Sequence, residues 1–115
     1  MTRVLRDGLA DAPNDAQLMT LLARAYQREG RPELMADMLA RAVEVSQQAP
    51  DESLRYATYL AQQGENGAAE TVLIDALRRR PDSFDLLALL AQVHLVMQDW
   101  PRVEQDIAAI RQRFD

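Results

Sequence analysis

The stretch "LLARAYQREGRP", residues 21–32, decides the fold. An apolar helical pattern ends there, and a glycine and a proline follow. Gly30 supplies the left-handed residue that commonly ends a helix, and Pro32 suits the first turn of the next helix. The stretch therefore predicts two helices joined by a short turn.

The same arrangement recurs along the chain at a shift of 34 residues. One residue set is Leu22, Ala23, Tyr26 and Gly30, the second is Tyr56, Ala57, Leu60 and Gly64, and the third is Leu90, Ala91, His94 and Gln98. A further apolar column holds Leu39, Leu73 and Ile107. Several independent columns agree at one shift without any insertion, which predicts an array of helical repeats.

The repeat predicts an all-α fold of about seven antiparallel helices. Each helix has the ordinary length of about 12–15 residues. We expect a single array over residues 1–115, in which residues 1–15 hold the second helix of a partial repeat. Three repeats then cover residues 16–49, 50–83 and 84–115. Alanines in the small columns let two helices approach closely, and stacked neighbours cover the apolar face that each pair leaves bare.

Composition excludes several classes of function. The chain is 48% hydrophobic, has a net charge of −5 and contains no cysteine. The acidic balance disfavours nucleic-acid binding, the lack of a long apolar run disfavours direct membrane insertion, and the lack of thiols excludes disulfides. The compartment stays open between cytoplasm and periplasm. The first residues have the pattern of a helix interior, so a leader or upstream domains could precede them in a longer chain.

No residue pattern predicts catalysis, a cofactor or a metal site. His94 is the only histidine, and no nucleophile, phosphate loop or metal motif accompanies it. Since it occupies the column of Tyr26 and Leu60, we expect a packing residue with one hydrogen bond. We likewise expect most methionines in the core and Trp100 packed across its helical hairpin. The chain is therefore predicted not to be an enzyme.

These columns resemble the tetratricopeptide repeat, a helix–turn–helix unit of 34 residues. The resemblance implies a right-handed α-α superhelix whose first helices line a concave groove for a peptide or partner helix. The groove candidates are Gln17, Thr20, Arg24, Arg28, Arg55, Thr58, Gln62, Asp85, Gln92 and Leu95. One half is rich in arginine and the other is apolar, which suits a ligand with an acidic and an apolar end. An unspecialised solvated groove is the alternative.

In the last repeat, apolar residues cover most of the first helix and continue on the second, whereas helical arrays normally end in a polar capping helix. The candidates for self-association, including a homodimer through this end, are Val93, Val96, Met97, Ile110 and Phe114. The sequence thus predicts a non-catalytic module that binds a protein or peptide, as part of a larger bacterial assembly protein. The alternative is a self-association segment without a peptide ligand of its own.

Overall fold

The computed structural model describes residues 2–114, which form seven α-helices and no strand. The helices are α1 (Thr2–Asp11), α2 (Ala16–Arg28), α3 (Pro32–Val45), α4 (Pro50–Gln62), α5 (Asn66–Arg79), α6 (Phe84–Val96) and α7 (Trp100–Phe114). The predicted all-α fold is confirmed. None of the described helices is long and apolar enough to cross a membrane.

Two glycines end helices in the way that the sequence predicts. Gly30 after α2 has φ of 71°, and the N–H of Arg31 donates to the carbonyl of Tyr26 at 2.9 Å. Gly64 after α4 has φ of 78°, and Glu65 donates to Leu60 at the same distance of 2.9 Å. Each turn therefore satisfies carbonyl groups that the helix leaves unpaired, in a conformation that glycine adopts without steric cost.

The third turn of this kind lacks a glycine. Gln98 takes the left-handed conformation with φ of 59°, and Asp99 donates to the carbonyl of His94 at 3.0 Å. The backbone of the repeat is thus retained although a residue with a side chain occupies the position, at a cost of about 1 kcal/mol.

Side-chain caps and prolines mark where helices begin. Asp15 accepts a hydrogen bond from the N–H of Leu18 at 3.1 Å, and Ser83 accepts one from Leu86 at 3.4 Å. Both residues use their side-chain oxygens to satisfy a donor in the first helical turn. Pro32 and Pro50 begin α3 and α4, where a missing N–H leaves no hydrogen bond unmade.

The chain divides into two compact units, Met1–Gln48 and Ala49–Asp115. In the first unit, α2 and α3 pack against each other, and α1 packs against α2. The buried residues there are Leu9, Met19, Leu22, Ala23, Ala25, Tyr26, Met35, Met38, Leu39 and Ala42. The expected core role is confirmed for Met19, Met35 and Met38. Val4 of α1 lies on the surface, with 72% of its area exposed.

The second unit packs α4 against α5, α5 against α6, and α6 against α7. Its core cluster holds Ala57, Leu60, Ala69, Leu73, Ala76, Leu86, Leu90 and Val93. Ala57, Ala69 and Ala76 are fully buried, as expected of small residues between closely approaching helices. Trp100 begins α7 with 57% of its surface exposed, and its packing across the hairpin stays a prediction.

Candidate partner-binding site

A groove in the first unit brings together apolar and basic side chains. Its volume is about 360 Å³, and its lining consists of Leu5 from α1 with Leu21, Arg24, Ala25 and Arg28 from α2. Residues three, four and seven apart share one face of a helix, which places Leu21 beside both arginines. Ala25 is buried at the base, and Leu21 is 46% exposed. The result is an open notch with an apolar wall and two cationic heads.

Among the described residues, the arginines of this groove have no acidic partner. Within residues 2–114, the ion pairs include neither Arg24 nor Arg28. The carboxylate of Glu29, next in sequence, accepts a hydrogen bond from Thr2 at 3.2 Å and lies 3.7 Å from Arg31. Two like charges four residues apart on a helix repel each other by a few tenths of a kcal/mol. An anion bound between them would relieve this repulsion.

Two other groove candidates of the first unit differ in exposure. Gln17 is exposed and lines a shallow depression of about 530 Å³ at the start of α2. Thr20 is only 9% exposed, and its hydroxyl donates to the carbonyl of Ala16 at 3.0 Å. Thr20 is therefore used by its own helix and offers little surface to a partner.

The groove candidates of the second unit are mostly exposed. Arg55, Gln62, Asp85, Gln92 and Leu95 lie on the surface, while Thr58 is half-buried. Leu95 is the apolar member of this set, with 53% of its surface exposed. Their predicted role in binding rests on the resemblance and stays a prediction.

The self-association candidates do not form one exposed set. Val93 is only 2% exposed and belongs to the core of the second unit, so it offers no surface to a second copy. Ile110 is half-buried, while Val96 and Met97 are 67% and 40% exposed. Phe114 makes an edge-to-face contact with Phe84, with ring centroids 5.4 Å apart. The exposed apolar residues around the α6–α7 turn are Leu95, Val96, Met97 and Trp100.

A buried ionic cluster in the second unit escaped the sequence analysis. His94 of α6 is 3% exposed, and its two ring nitrogens meet two carboxylates. Its Nε2 lies 2.6 Å from Glu70 Oε2 of α5, and its Nδ1 lies 2.5 Å from Asp106 Oδ2 of α7. Arg102 Nη1 donates to the same Glu70 oxygen at 2.8 Å, and Arg102 also pairs with Asp99 at 3.5 Å. Two carboxylates thus contact the histidine that was expected to make one hydrogen bond, and Arg102 and Asp99 extend the network from Glu70.

The cluster favours the protonated form of His94. Burial disfavours the imidazolium and by itself lowers the pKa of His94. Hydrogen bonds to Asp106 and Glu70, together with the negative charges of both carboxylates, raise this pKa by more than burial lowers it. The pKa of His94 therefore lies above its ordinary value of 6.5. Within residues 2–114, no group of three or more His, Asp or Glu side chains is arranged to hold a metal ion.

A signal for this cluster was present in the repeat columns. Asp106 stands in the column of Met38 and Val72, and His94 stands in the column of Tyr26 and Leu60. Two columns that hold apolar or aromatic residues in the earlier repeats are therefore polar together in the last one. A compensating pair is the simplest way to bury both residues.

Comparison with known proteins agrees with this architecture. The fold defines an all-α helical repeat protein. Residues 50–93 match the family model of the tetratricopeptide repeat. The resemblance predicted from the repeat columns is confirmed by this match. No curated protein sequence matches the chain significantly.

Solved structures of MamA share the fold. MamA AMB-1 matches with a TM-score of 0.76 and 21% identity over 96% of this chain and 61% of its own. MamA MSR-1 matches with a TM-score of 0.73 and 20% identity over 96% of this chain and 64% of its own. This chain thus spans less than two thirds of the MamA chains that it matches. At such identity the likeness shows the fold alone.

Proposed function

We propose that this chain is a non-catalytic interaction module that holds an acidic, partly apolar segment of a protein partner. The observation that carries the proposal is the groove of Leu5, Leu21, Arg24, Ala25 and Arg28, whose two arginines lack acidic partners among the described residues. The tetratricopeptide-repeat match supports a scaffold for protein binding in general. The groove supports the narrower choice of ligand.

The chemistry of the groove defines the ligand. Arginine presents a planar fork of donors that matches a carboxylate, so Arg24 and Arg28 suit one or two acidic side chains. Exposed ion pairs contribute only about 0–1 kcal/mol each, so the arginines supply orientation more than affinity. An apolar side chain of the ligand, packed on Leu21 and Leu5, supplies the remaining binding free energy because its surface is removed from water. A ligand therefore needs an acidic residue beside an apolar one.

The proposal is tested by fluorescence anisotropy with a short labelled peptide of alternating leucine and glutamate. A second peptide has glutamine in place of each glutamate. We expect the double variant Arg24→Glu/Arg28→Glu to weaken binding of the acidic peptide by about tenfold or more, because two attractive charges become repulsive. Added salt should weaken wild-type binding as well.

Arg41→Glu is the matched control, since Arg41 is an exposed arginine of α3 in the same unit and does not line the groove. It should bind the acidic peptide as the wild type does. Equal affinity for the two peptides, or equal affinity in the double variant and the wild type, would contradict the proposal.

Self-association is the second candidate function, and the exposed apolar residues around the α6–α7 turn favour it. Leu95, Val96, Met97 and Trp100 lie within six successive positions of the chain, and contiguous exposed apolar surface often marks an interaction site. Light scattering over a concentration series tests it. Val96→Glu should reduce the average mass, while Val4→Glu on α1 should not. A mass that stays monomeric at every concentration would contradict self-association.

A further inference from the structure

We propose that Glu70, His94 and Asp106 form a proton-dependent ionic cluster that holds α5 and α7 against α6. The three side chains come from three successive helices of the second unit. His94 is the central member, with one carboxylate on each side of its ring. The cluster is intact when both ring nitrogens of His94 carry a proton. As rising pH removes one of these protons, the packing of the second unit loosens.

With both carboxyl groups ionised, the hydrogen-bond geometry requires a doubly protonated ring. A carboxylate accepts hydrogen bonds and cannot donate one, so each of the two short contacts needs an N–H on the histidine. A neutral imidazole has a single N–H. Loss of the second proton would therefore place a lone pair of His94 against a carboxylate oxygen at 2.5 Å or 2.6 Å. Because the ring is 3% exposed, water has little access to repair this contact.

The charges around the ring make the proton a structural component of the unit. From α5 comes Glu70, from α7 come Asp106 and Arg102, and Asp99 lies just before α7. With protonated His94 these five groups carry one excess negative charge, and without the proton they carry two. Arg102 cannot compensate alone, since its side chain is 53% exposed and is shared by Glu70 and Asp99.

The remaining neighbour of α6 is α4, which adds apolar side chains and the phenols of Tyr56 and Tyr59. From α4, Ala57 and Leu60 belong to the same buried cluster as Val93 of α6. This surface cannot solvate an unpaired carboxylate, so the cost of deprotonation falls on the packing of α5 and α7. We therefore expect the effect of pH to be confined to the second unit.

The direction of the pH dependence follows from linkage. The pKa of His94 is raised in the folded chain above 6.5, so the folded state holds a proton that the unfolded state has released. The stabilisation is complete below about pH 6.5 and disappears as the pH rises through the raised pKa. Between these two values, the folding constant of the second unit falls by up to about tenfold per pH unit.

The chain offers two single-residue reporters for a test. His94 is the only histidine and Trp100 the only tryptophan, and both lie in the α6–α7 hairpin. Proton NMR of the untagged chain gives the pKa of His94 without assignment. Trp100 fluorescence during urea unfolding follows the second unit between about pH 6 and about pH 9.

We expect His94 to titrate above 6.5 and the urea midpoint of the wild type to fall as the pH rises. His94→Gln should lose most of this dependence, since glutamine does not titrate. Glu104→Gln is the matched control, because Glu104 is an exposed acid of α7 and should keep the wild-type slope. Titration of His94 at or below 6.5 would overturn the proposal, and so would equal slopes in the wild type and His94→Gln. The NMR result requires no variant to fold.

Discussion

The α2–α3 and α6–α7 hairpins place different chemistry at the same two positions of the repeat. In α2–α3 these positions hold Tyr26 and Met38, which are 6% and 7% exposed. Two repeats further along, α6–α7 holds His94 and Asp106, which are 3% and 8% exposed. The repeat thus specifies which positions are buried. It does not specify whether the buried side chains are apolar or form ion pairs.

The two solutions differ in how they respond to substitution. An apolar contact is non-directional, so another side chain of similar volume can replace it at a small cost. A buried ion pair depends on both partners, because removing one leaves an uncompensated charge away from water. The α6–α7 hairpin should therefore be less tolerant than the α2–α3 hairpin at equivalent positions.

The largest effect is expected when Asp106 and Met38 are each replaced by leucine. Asp106→Leu removes one of the two carboxylates that contact His94 and leaves the buried Nδ1–H without an acceptor, which should cost about 3 kcal/mol. Met38→Leu exchanges one apolar side chain for another and should cost less than about 1.5 kcal/mol. Urea unfolding measures both, by Trp100 fluorescence for Asp106→Leu and by circular dichroism for Met38→Leu.

Glu104→Leu is the control for Asp106→Leu, because it removes an exposed acid from the same helix and should change stability by less than about 0.5 kcal/mol. Losses of equal size at positions 106 and 38 would remove the distinction between the two hairpins.

A smaller effect is expected at the turn of the α2–α3 hairpin. Gly30→Ala should cost about 1–2 kcal/mol, because alanine is strained at φ of 71°. A Cβ atom at position 30 would have no neighbour within 4 Å, so the loss comes from the backbone and not from a clash. Circular dichroism during urea unfolding gives the change.

Gly8→Ala is the matched control within the same unit. Gly8 lies inside α1, and an added Cβ would make an ordinary contact with Leu18 at 3.6 Å. This variant should be as stable as the wild type or more stable by about 0.5–1 kcal/mol. A loss at Gly8 as large as that at Gly30 would show that the turn conformation is not the cause.

The smallest effect, a gain in stability, is expected at the turn of the α6–α7 hairpin. Gln98→Gly relieves a side chain at φ of 59° and should stabilise the second unit by about 0.5–1 kcal/mol. Gln92→Gly, inside α6, should instead lose about 1 kcal/mol. Trp100 fluorescence follows both variants, and a gain at position 92 or a loss at position 98 would refute the interpretation of the turn.

Local patterns of the sequence were sufficient to predict the helices and their ends. The helix stops at Gly30 and Gly64 follow from conformational freedom, and the start at Pro32 follows from its missing N–H, so each depends on one residue and its neighbours. The family resemblance followed from columns that agree at one shift. Information of this kind lies within a few residues or within one period.

The ionic cluster depends on a longer range and on side-chain geometry. Glu70 and His94 are 24 residues apart and lie on different helices, and their meeting requires both helices to be in place. Single columns predicted packing at His94 because the earlier repeats have Tyr26 and Leu60 there. Val93 was expected on the surface because apolar residues cover most of α6, a pattern that does not show which face of the helix is buried, and the structure buries it. The partner-facing role of Arg24 and Arg28 still awaits its binding experiment.

The ionic cluster also bears on whether these repeats can be exchanged. In an ideal solenoid each repeat contacts only its neighbours, and repeats with equivalent interfaces can be reordered. The α6–α7 hairpin needs a carboxylate from the helix before it, and Glu70 of α5 provides one. One repeat earlier, the equivalent position of α3 is Ala36. Placed directly after α3, the α6–α7 hairpin would bury a histidine that is short of one partner. The contact between Glu70 and His94 therefore fixes which repeat can precede the α6–α7 hairpin.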